Sequence, residues 1–105
     1  MLSHIQRQDF LTFLRKISKK GSYEILNYID EQKNVHYNEV LRYALDKKIV
    51  DSRASITIIL NTLTSLGLLE RTVTDTRPIR TNYKVSKNGY HIIKNLKELE
   101  AAFSK

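Results

Sequence analysis

The sequence predicts a mainly α-helical fold with one small β-hairpin, which belongs to the α+β class. The chain has 105 residues, enough for one hydrophobic core, and we expect a single domain over residues 1–105. Only three Gly and one Pro are present, which disfavours an all-β fold with many tight turns. Apolar residues recur at helical spacing along most of the chain, whereas residues 68–85 alternate as paired strands do. These two periodicities predict the fold class.

Two helices are predicted before residue 34. The first, residues 4–18, carries its apolar residues at helical spacing, and Gly21 suits its end because glycine adopts left-handed backbone readily. Ser22 is the predicted N-cap of the second helix, whose inward residues include Ile25, Leu26 and Ile29. A short extended piece is predicted next, at residues 34–37.

Residues 38–66 predict two more helices joined by a tight turn. Asn38 is the predicted cap of the first, and Asp51 or Ser52 that of the second, which ends at Gly67. The run Ile56-Thr57-Ile58-Ile59 is β-branched and has the composition of a strand. A row at helical spacing nevertheless favours a helix: Ile56, Leu60, Leu63 and Leu66.

The last third of the chain predicts a hairpin followed by a helix. The hairpin covers residues 68–85, and the segment from Asp75 through Thr76 to Pro78 has the composition of its turn. Ser86 is the predicted cap of a final helix over residues 87–103. The predicted order is therefore helix, helix, short strand, helix, helix, hairpin, helix.

The charge of the chain favours an anionic partner. The net charge is +7, from 18 Lys and Arg against 11 Asp and Glu. Residues 1–20 hold five Lys or Arg and one acid, and residues 71–97 hold seven and one. Nucleic acid is the natural partner for such clusters, because cations near phosphates release condensed counterions.

Several functional classes are disfavoured by what the sequence lacks. There is no Cys, which excludes disulfides and thiolate chemistry. His4, His36 and His91 are scattered, so we expect no metal site, and without an enzyme motif we expect no catalysis and no cofactor. No apolar run is long enough for a membrane span, and the first residues lack a signal-peptide pattern. We therefore expect a cytoplasmic, nucleoid-associated protein.

Two neighbouring motifs carry a family resemblance. They read Leu60-x-x-Leu63-x-x-Leu66-Gly67-Leu68-Leu69-Glu70-Arg71 and Pro78-x-Arg80-x-x-Tyr83-x-Val85-Ser86-x-x-Gly89. This pattern resembles the prokaryotic transcription regulators of the HxlR, PadR and MarR groups, HxlR especially, over residues 22–103. The basic, Ile- and Lys-rich composition is similar to small archaeal or archaeal-virus members. The chain departs from the HxlR pattern in lacking a Cys near its N-terminus, which excludes thiol-based redox sensing.

The resemblance implies a winged helix-turn-helix with extra N- and C-terminal helices, and double-stranded DNA as the partner. The helix at residues 52–66 is then expected to enter the major groove, and the hairpin, or wing, to meet the backbone or minor groove. Arg53 suits guanine or phosphate, and Asn61 suits adenine or phosphate. The expected DNA-binding residues are Ser52, Arg53, Ser55, Thr57, Asn61, Arg77, Arg80, Lys47 and Lys48. The alternative for each of these residues is that it lies on the solvent-exposed surface and does not contact DNA.

The terminal helices have more apolar residues than a core of this size requires. We expect the helix at residues 87–103 to form most of a homodimer interface, since paired domains match palindromic half-sites. Tyr90 and Ile93 are expected to anchor that helix to its own domain. The predicted interface residues are Phe10, Phe13, Leu14, Ile92, Leu96, Leu99 and Phe103. The alternative is that both helices pack entirely on their own domain.

These patterns predict a dimeric DNA-binding transcription regulator. One alternative is a winged-helix protein-interaction module within a transcription or replication assembly, which an outward Ile58 would favour. Another is a non-specific, chromatin-type DNA binder. It differs from a regulator only in the ratio of its affinity for a specific site to its affinity for other DNA. The operator, the sign of regulation and any effector ligand stay open.

Overall fold

The structure, a computed structural model, describes residues 4–75 and 77–104, so the predicted turn residue Thr76 lies outside the described residues. Within them the chain forms helices and strands in the predicted order, and the α+β class is confirmed. The elements are α1 (His4–Ile17), α2 (Ser22–Gln32), β1 (Val35–His36), α3 (Tyr37–Asp46), α4 (Arg53–Ser65), β2 (Leu69–Val73), β3 (Thr81–Val85) and α5 (Lys87–Phe103).

The three strands form one antiparallel sheet in the order β1-β3-β2. The hairpin register runs from Leu69 opposite Val85 to Val73 opposite Thr81. On the other side of β3, Val35 pairs with Tyr83. Because β1 leads directly into α3, this pairing ties the middle of the hairpin to the helix pair α3–α4.

The core lies between α2, α3, α4 and the inner face of the sheet. Apolar residues at helical spacing place one stripe of each helix inward, as the sequence pattern predicts. Ile93 is the α5 side chain that is buried in this core, with 2 % of its surface exposed. The largest fully buried side chains are Ile25, Leu26, Ile29, Ile56, Leu60, Leu63, Leu68, Val35 and Val40.

The predicted serine caps of two helices are confirmed. The Ser52 hydroxyl accepts a hydrogen bond from the Ser55 backbone N–H at 3.2 Å and begins α4. The Ser86 hydroxyl accepts one from the Gly89 N–H at 2.9 Å and begins α5. Each cap satisfies a backbone donor that the first helical turn leaves without a partner.

The predicted N-cap residues of α2 and α3 are wrong. The prediction is one residue too late for α2 and two residues too late for α3. Gly21, with a φ of 90°, occupies the N-cap position of α2, and Ser22 is already inside the helix and buried. His36 occupies the N-cap position of α3 in place of Asn38, and its backbone N–H donates to the Glu39 carboxylate at 3.1 Å. Strand pairing of His36 with β3 makes the chain turn into the helix immediately after the strand.

Gly89 allows α5 to approach the hairpin base closely. A Cβ placed on Gly89 would overlap the carbonyl group of Leu68, so a side chain here would force the backbone apart. The Ser86 hydroxyl donates to the Gly67 carbonyl at 2.6 Å across the same junction. This contact sets the direction in which α5 leaves the domain.

The molecule is elongated, with extents of 50 × 31 × 23 Å. Its radius of gyration is 14.6 Å, whereas a compact domain of this length has one of about 13 Å. Side chains are exposed along most of α1 and along the second half of α5. Among the helices of the described part, none has the length and apolar character that a membrane span requires.

Candidate nucleic-acid interface

Helix α4 presents one face to the core and the opposite face to solvent. Ile56, Ile59, Leu60 and Leu63 form the buried stripe. About half a turn away, at i, i+4 and i+7 spacing, the exposed stripe is formed by Ala54, Ile58 and Asn61. The helix is thus held on one side and left available on the other, as a helix that enters a DNA groove must be.

Tyr37 at the start of α3 engages two of the predicted DNA-binding residues. Its hydroxyl and the Thr57 hydroxyl are 2.7 Å apart in a hydrogen bond, and Thr57 is half-buried there. The Arg53 guanidinium lies over the Tyr37 ring, 5.7 Å from the ring centroid. Tyr37 therefore fixes α4 against α3 and holds the Arg53 side chain on the α3 side of the exposed face.

The remaining predicted residues of α4 differ in how far their side chains are engaged. The hydroxyls of Ser52 and Ser55 lie 3.2 Å apart and bond to each other at the first turn of the helix. Asn61 is exposed, two turns further along. Lys47 and Lys48 are exposed in the turn between α3 and α4, where Lys48 has a φ of 57°. Of these residues, Asn61, Lys47 and Lys48 are exposed to solvent, whereas Ser52 and Ser55 are bonded to each other.

A cationic cleft borders α4 on the side away from Tyr37. It has a volume of about 300 Å³ and lies between α4 and the junction of α1 with α2. Ser55, Ile58 and Thr62 contribute the α4 wall, and Asp51 lies at its edge. The cations that line it are Lys16, Lys19 and Lys20. Their charge extends the basic surface beyond the residues predicted from sequence.

Gly21 explains why these lysines lie beside α4. A Cβ on Gly21 would come within 3.0 Å of the Ile49 side chain and 3.1 Å of the Ile59 side chain. The chain also turns there with a positive φ, which favours glycine over residues with a side chain. The α1–α2 junction can therefore pack directly on α4.

The hairpin tip is closed by hydrogen bonds between Thr74 and Arg80. The Thr74 backbone N–H donates to the Arg80 carbonyl at 2.9 Å, and the Arg80 N–H donates to the Thr74 hydroxyl at 3.1 Å. Arg77 and Arg80 are both exposed. Pro78, Ile79 and Arg80 also form one wall of a cleft against the start of α3. The tip thus carries its cations next to the helix pair.

Several solved structures with a similar arrangement are named as transcription regulators. A protein assigned to the MarR family, from Enterococcus faecalis V583, aligns over 99 % of this chain and 90 % of its own at 18 % identity and a TM-score of 0.78. A PadR-like transcription factor from Bacteroides fragilis aligns over 90 % and 91 % at 14 % identity and a TM-score of 0.71. FabT from Streptococcus pneumoniae, solved in complex with DNA, aligns over 97 % and 79 % at 17 % identity and a TM-score of 0.59. The fold is a winged helix-turn-helix.

No protein-family model matches the chain, and no curated protein matches it. The winged-helix assignment therefore comes from the three-dimensional arrangement, in which α3 and α4 form the helix-turn-helix and β2–β3 the wing. The resemblance to regulators of the MarR and PadR-like kind, which the motifs around residues 60–89 indicated, is confirmed at the level of fold.

The winged helix-turn-helix leaves a separate apolar surface at its terminal helices. α1 and α5 both pack against α2, and between them lies an apolar groove of about 290 Å³. Leu99 is 63 % exposed and Phe103 88 % exposed. Phe10 and Leu14 are also exposed on α1, whereas Phe13, Ile92 and Leu96 pack partly against the core. Tyr90 is 54 % exposed, so the prediction that it anchors α5 is wrong, and Ile93 alone of that pair is buried.

One polar contact crosses the edge of this groove. The Tyr23 hydroxyl on α2 donates to the Glu100 carboxylate on α5 at 2.7 Å. Burial, and next this hydrogen bond, raise the pKa of Tyr23 above its ordinary value of 10.0. The bond and the Lys97–Asp30 ion pair at 3.3 Å hold α5 in position along α2.

Sequence reasoning missed Lys16, Lys19 and Lys20 as a group near α4, and it missed Tyr37. The basic cluster at the chain start was visible in the sequence, but its position relative to α4 depends on the turn at Gly21. Tyr37 gave no sequence signal, because its hydrogen bond joins residues 20 positions apart. Within the part of the chain that the structure describes, no three His, Asp or Glu side chains come together as metal ligands.

Proposed function

We propose that this protein is a transcription regulator that binds duplex DNA as a homodimer, with α4 in the major groove and the wing on the backbone or in the minor groove. The observation that carries this proposal is the exposed face of α4 with cations on both of its sides. Arg53 lies on one side, and the lysine cleft of Lys16, Lys19 and Lys20 on the other. A major groove is flanked by phosphates in the same way.

The wing supports the proposal independently of α4. Arg77 and Arg80 are exposed at the hairpin tip, and β1 ties the middle of the hairpin to α3. When α4 occupies the major groove, a tip in this position reaches the adjacent backbone or a narrow minor groove, which attracts arginine. FabT, which has a similar fold, has been solved in complex with DNA.

The homodimer is supported by the apolar surface of the terminal helices. Leu99 and Phe103 are exposed and line an apolar groove on α5, and Phe10 and Leu14 are exposed on α1. A contiguous apolar surface of this kind is typical of a protein–protein interface. A second copy is the partner we propose, because a two-fold dimer would present two α4 helices to the half-sites of a palindrome. Chromosomal DNA as the partner would place the dimer in the nucleoid.

The salt dependence of duplex binding tests the proposal. Each phosphate contact adds about 0.9 to the slope of log affinity against log salt concentration. With about five contacts from each protomer of the homodimer, the slope should have a magnitude of about 9 in a titration with labelled random-sequence duplex. A slope near zero would contradict the proposal and favour the protein-interaction module. Selection from a random duplex pool then separates a regulator, which yields a palindromic motif, from a non-specific binder.

The wing arginines give the first mutational prediction. Arg77→Ala combined with Arg80→Ala should weaken binding to all duplexes to a similar extent, because these contacts meet phosphate or groove shape. The salt slope should fall by about one per lost phosphate contact. The control is Lys87→Ala with Lys94→Ala, which removes two charges from exposed positions of α5, away from the wing tip. If the wing variant binds at low salt as tightly as the wild type and shows the same salt slope, the wing does not contact the DNA.

A further inference from the structure

The centre of the exposed face of α4 is apolar. Ile58 is 64 % exposed, and Ala54, one turn before it, is exposed as well. Asn61 continues the same stripe at i+3 from Ile58. A single exposed isoleucine is unremarkable on a protein surface. Its position at the middle of the face that the proposed function places in the major groove is what calls for an explanation.

The polar side chains of α4 are engaged away from this centre. Thr57 bonds to Tyr37, and the Ser52 and Ser55 hydroxyls bond to each other. Arg53 is held over the Tyr37 ring at the edge of the face. The side chains directed outward at the middle of the helix are therefore those of Ala54, Ile58 and Asn61. A groove-binding helix with this face must obtain much of its specificity from apolar contact.

The major groove offers one apolar feature, the C5-methyl group of thymine. Asparagine at the same time suits the N6 and N7 atoms of adenine. Residues 54–61 span about 10 Å along the helix axis, comparable with about three base-pair steps of 3.4 Å. The stripe therefore matches a short run of A·T pairs in composition and in length.

We propose that Ile58 is a specificity-determining residue that contacts thymine methyl groups in the major groove, with Asn61 directed to an adenine of the same half-site. This inference rests on the proposed function. The cations on both sides of the stripe favour DNA over an apolar protein partner. Arg53 and the lysine cleft would lie against the phosphates that border the groove.

The test removes single methyl groups from the DNA. The best duplex from the selection is prepared with each thymine replaced in turn by deoxyuridine, which lacks only the C5-methyl group. Affinities are measured for the wild type, for Ile58→Ala and for the control Leu45→Ala. Leu45 is 41 % exposed on α3 and is not among the residues placed on the DNA, so the control truncates an exposed aliphatic side chain outside the proposed interface. Circular dichroism confirms that both variants fold.

For the wild type we expect deoxyuridine to lower the affinity about threefold to fivefold at one or two thymines, the effect of one buried methyl group. Ile58→Ala should abolish this penalty at those positions, and Leu45→Ala should keep it. A penalty that persists in Ile58→Ala, or a wild type that is insensitive at every thymine, would overturn the inference while leaving DNA binding intact. If the wild type shows no salt-dependent binding to duplex DNA, the proposed function itself is overturned.

Discussion

Replacing Leu99 and Phe103 together by glutamate is expected to yield a folded monomer with a strongly reduced affinity for a palindromic duplex. Both side chains are more than half exposed in the protomer, so the charges should not disturb the core. In a dimer seam the same charges would lose their hydration without compensating partners. Leu96 is a less suitable site, because it packs partly against the core.

The loss of affinity follows from the loss of the second domain. In a dimer, binding of one domain raises the effective concentration of the other at its half-site, which multiplies affinity by about 100-fold to 10,000-fold. The double variant should therefore bind a palindrome about 100-fold or more weakly, and close to the affinity of a single half-site. Light scattering gives the molar mass of each protein, and duplex titration gives its affinity.

Lys94→Glu is the matched control for this experiment. It changes the net charge by the same two units, and it lies on the opposite side of α5 from Leu99 and Phe103. It should remain dimeric and lose only the modest affinity that the charge change itself removes. A wild type that is monomeric at tens of micromolar, or a double variant that stays dimeric, would refute the proposed interface.

Leu63→Ala is expected to lower the free energy of unfolding by about 2–5 kcal/mol. Leu63 is fully buried in the inner stripe of α4 and belongs to the same hydrophobic core as Leu60 and Leu68. Truncation removes the transfer free energy of the side chain and leaves a cavity that the neighbouring residues fill only in part. Small domains are stable by about 5–15 kcal/mol, so this variant would lose a large share of its stability.

Chemical denaturation compared with Leu45→Ala checks this prediction. Leu45 lies on α3 and is 41 % exposed, so the same substitution there should cost much less. Under conditions in which Leu63→Ala is folded, its duplex affinity should remain near that of the wild type, since Leu63 faces away from the exposed stripe of α4. Equal midpoints for the two variants would contradict the burial of Leu63.

The fold class was predictable because it depends on local patterns. The row Ile56, Leu60, Leu63 and Leu66 correctly assigned α4 as a helix, although its β-branched run has the composition of a strand. Ser52 and Ser86 marked two helix starts, because their caps bond within three residues. The starts of α2 and α3 were misplaced, since strand pairing at His36 and packing at Gly21 involve residues distant in sequence.

The candidate site was predictable only in part, for the same reason. Hydrophobic periodicity is enough to separate the buried stripe of α4 from its exposed stripe, and it placed Arg53 and Asn61 on the outside. It could not place the Thr57 hydroxyl against Tyr37, because a residue at the edge of a stripe turns inward or outward according to its neighbour. Nor could it place Lys16, Lys19 and Lys20 beside α4.

The sequence by itself determined the order and type of the elements, the inner face of each central helix and the basic character of the chain. Those properties depend on periods of two and 3.6 residues and on composition, which a single chain displays directly. Only the tertiary structure decided which cations border the exposed face of α4 and which of its polar side chains are already engaged. Those properties depend on contacts between distant residues, such as Tyr37 with Thr57 and Gly21 with Ile59, and periodicity does not encode them.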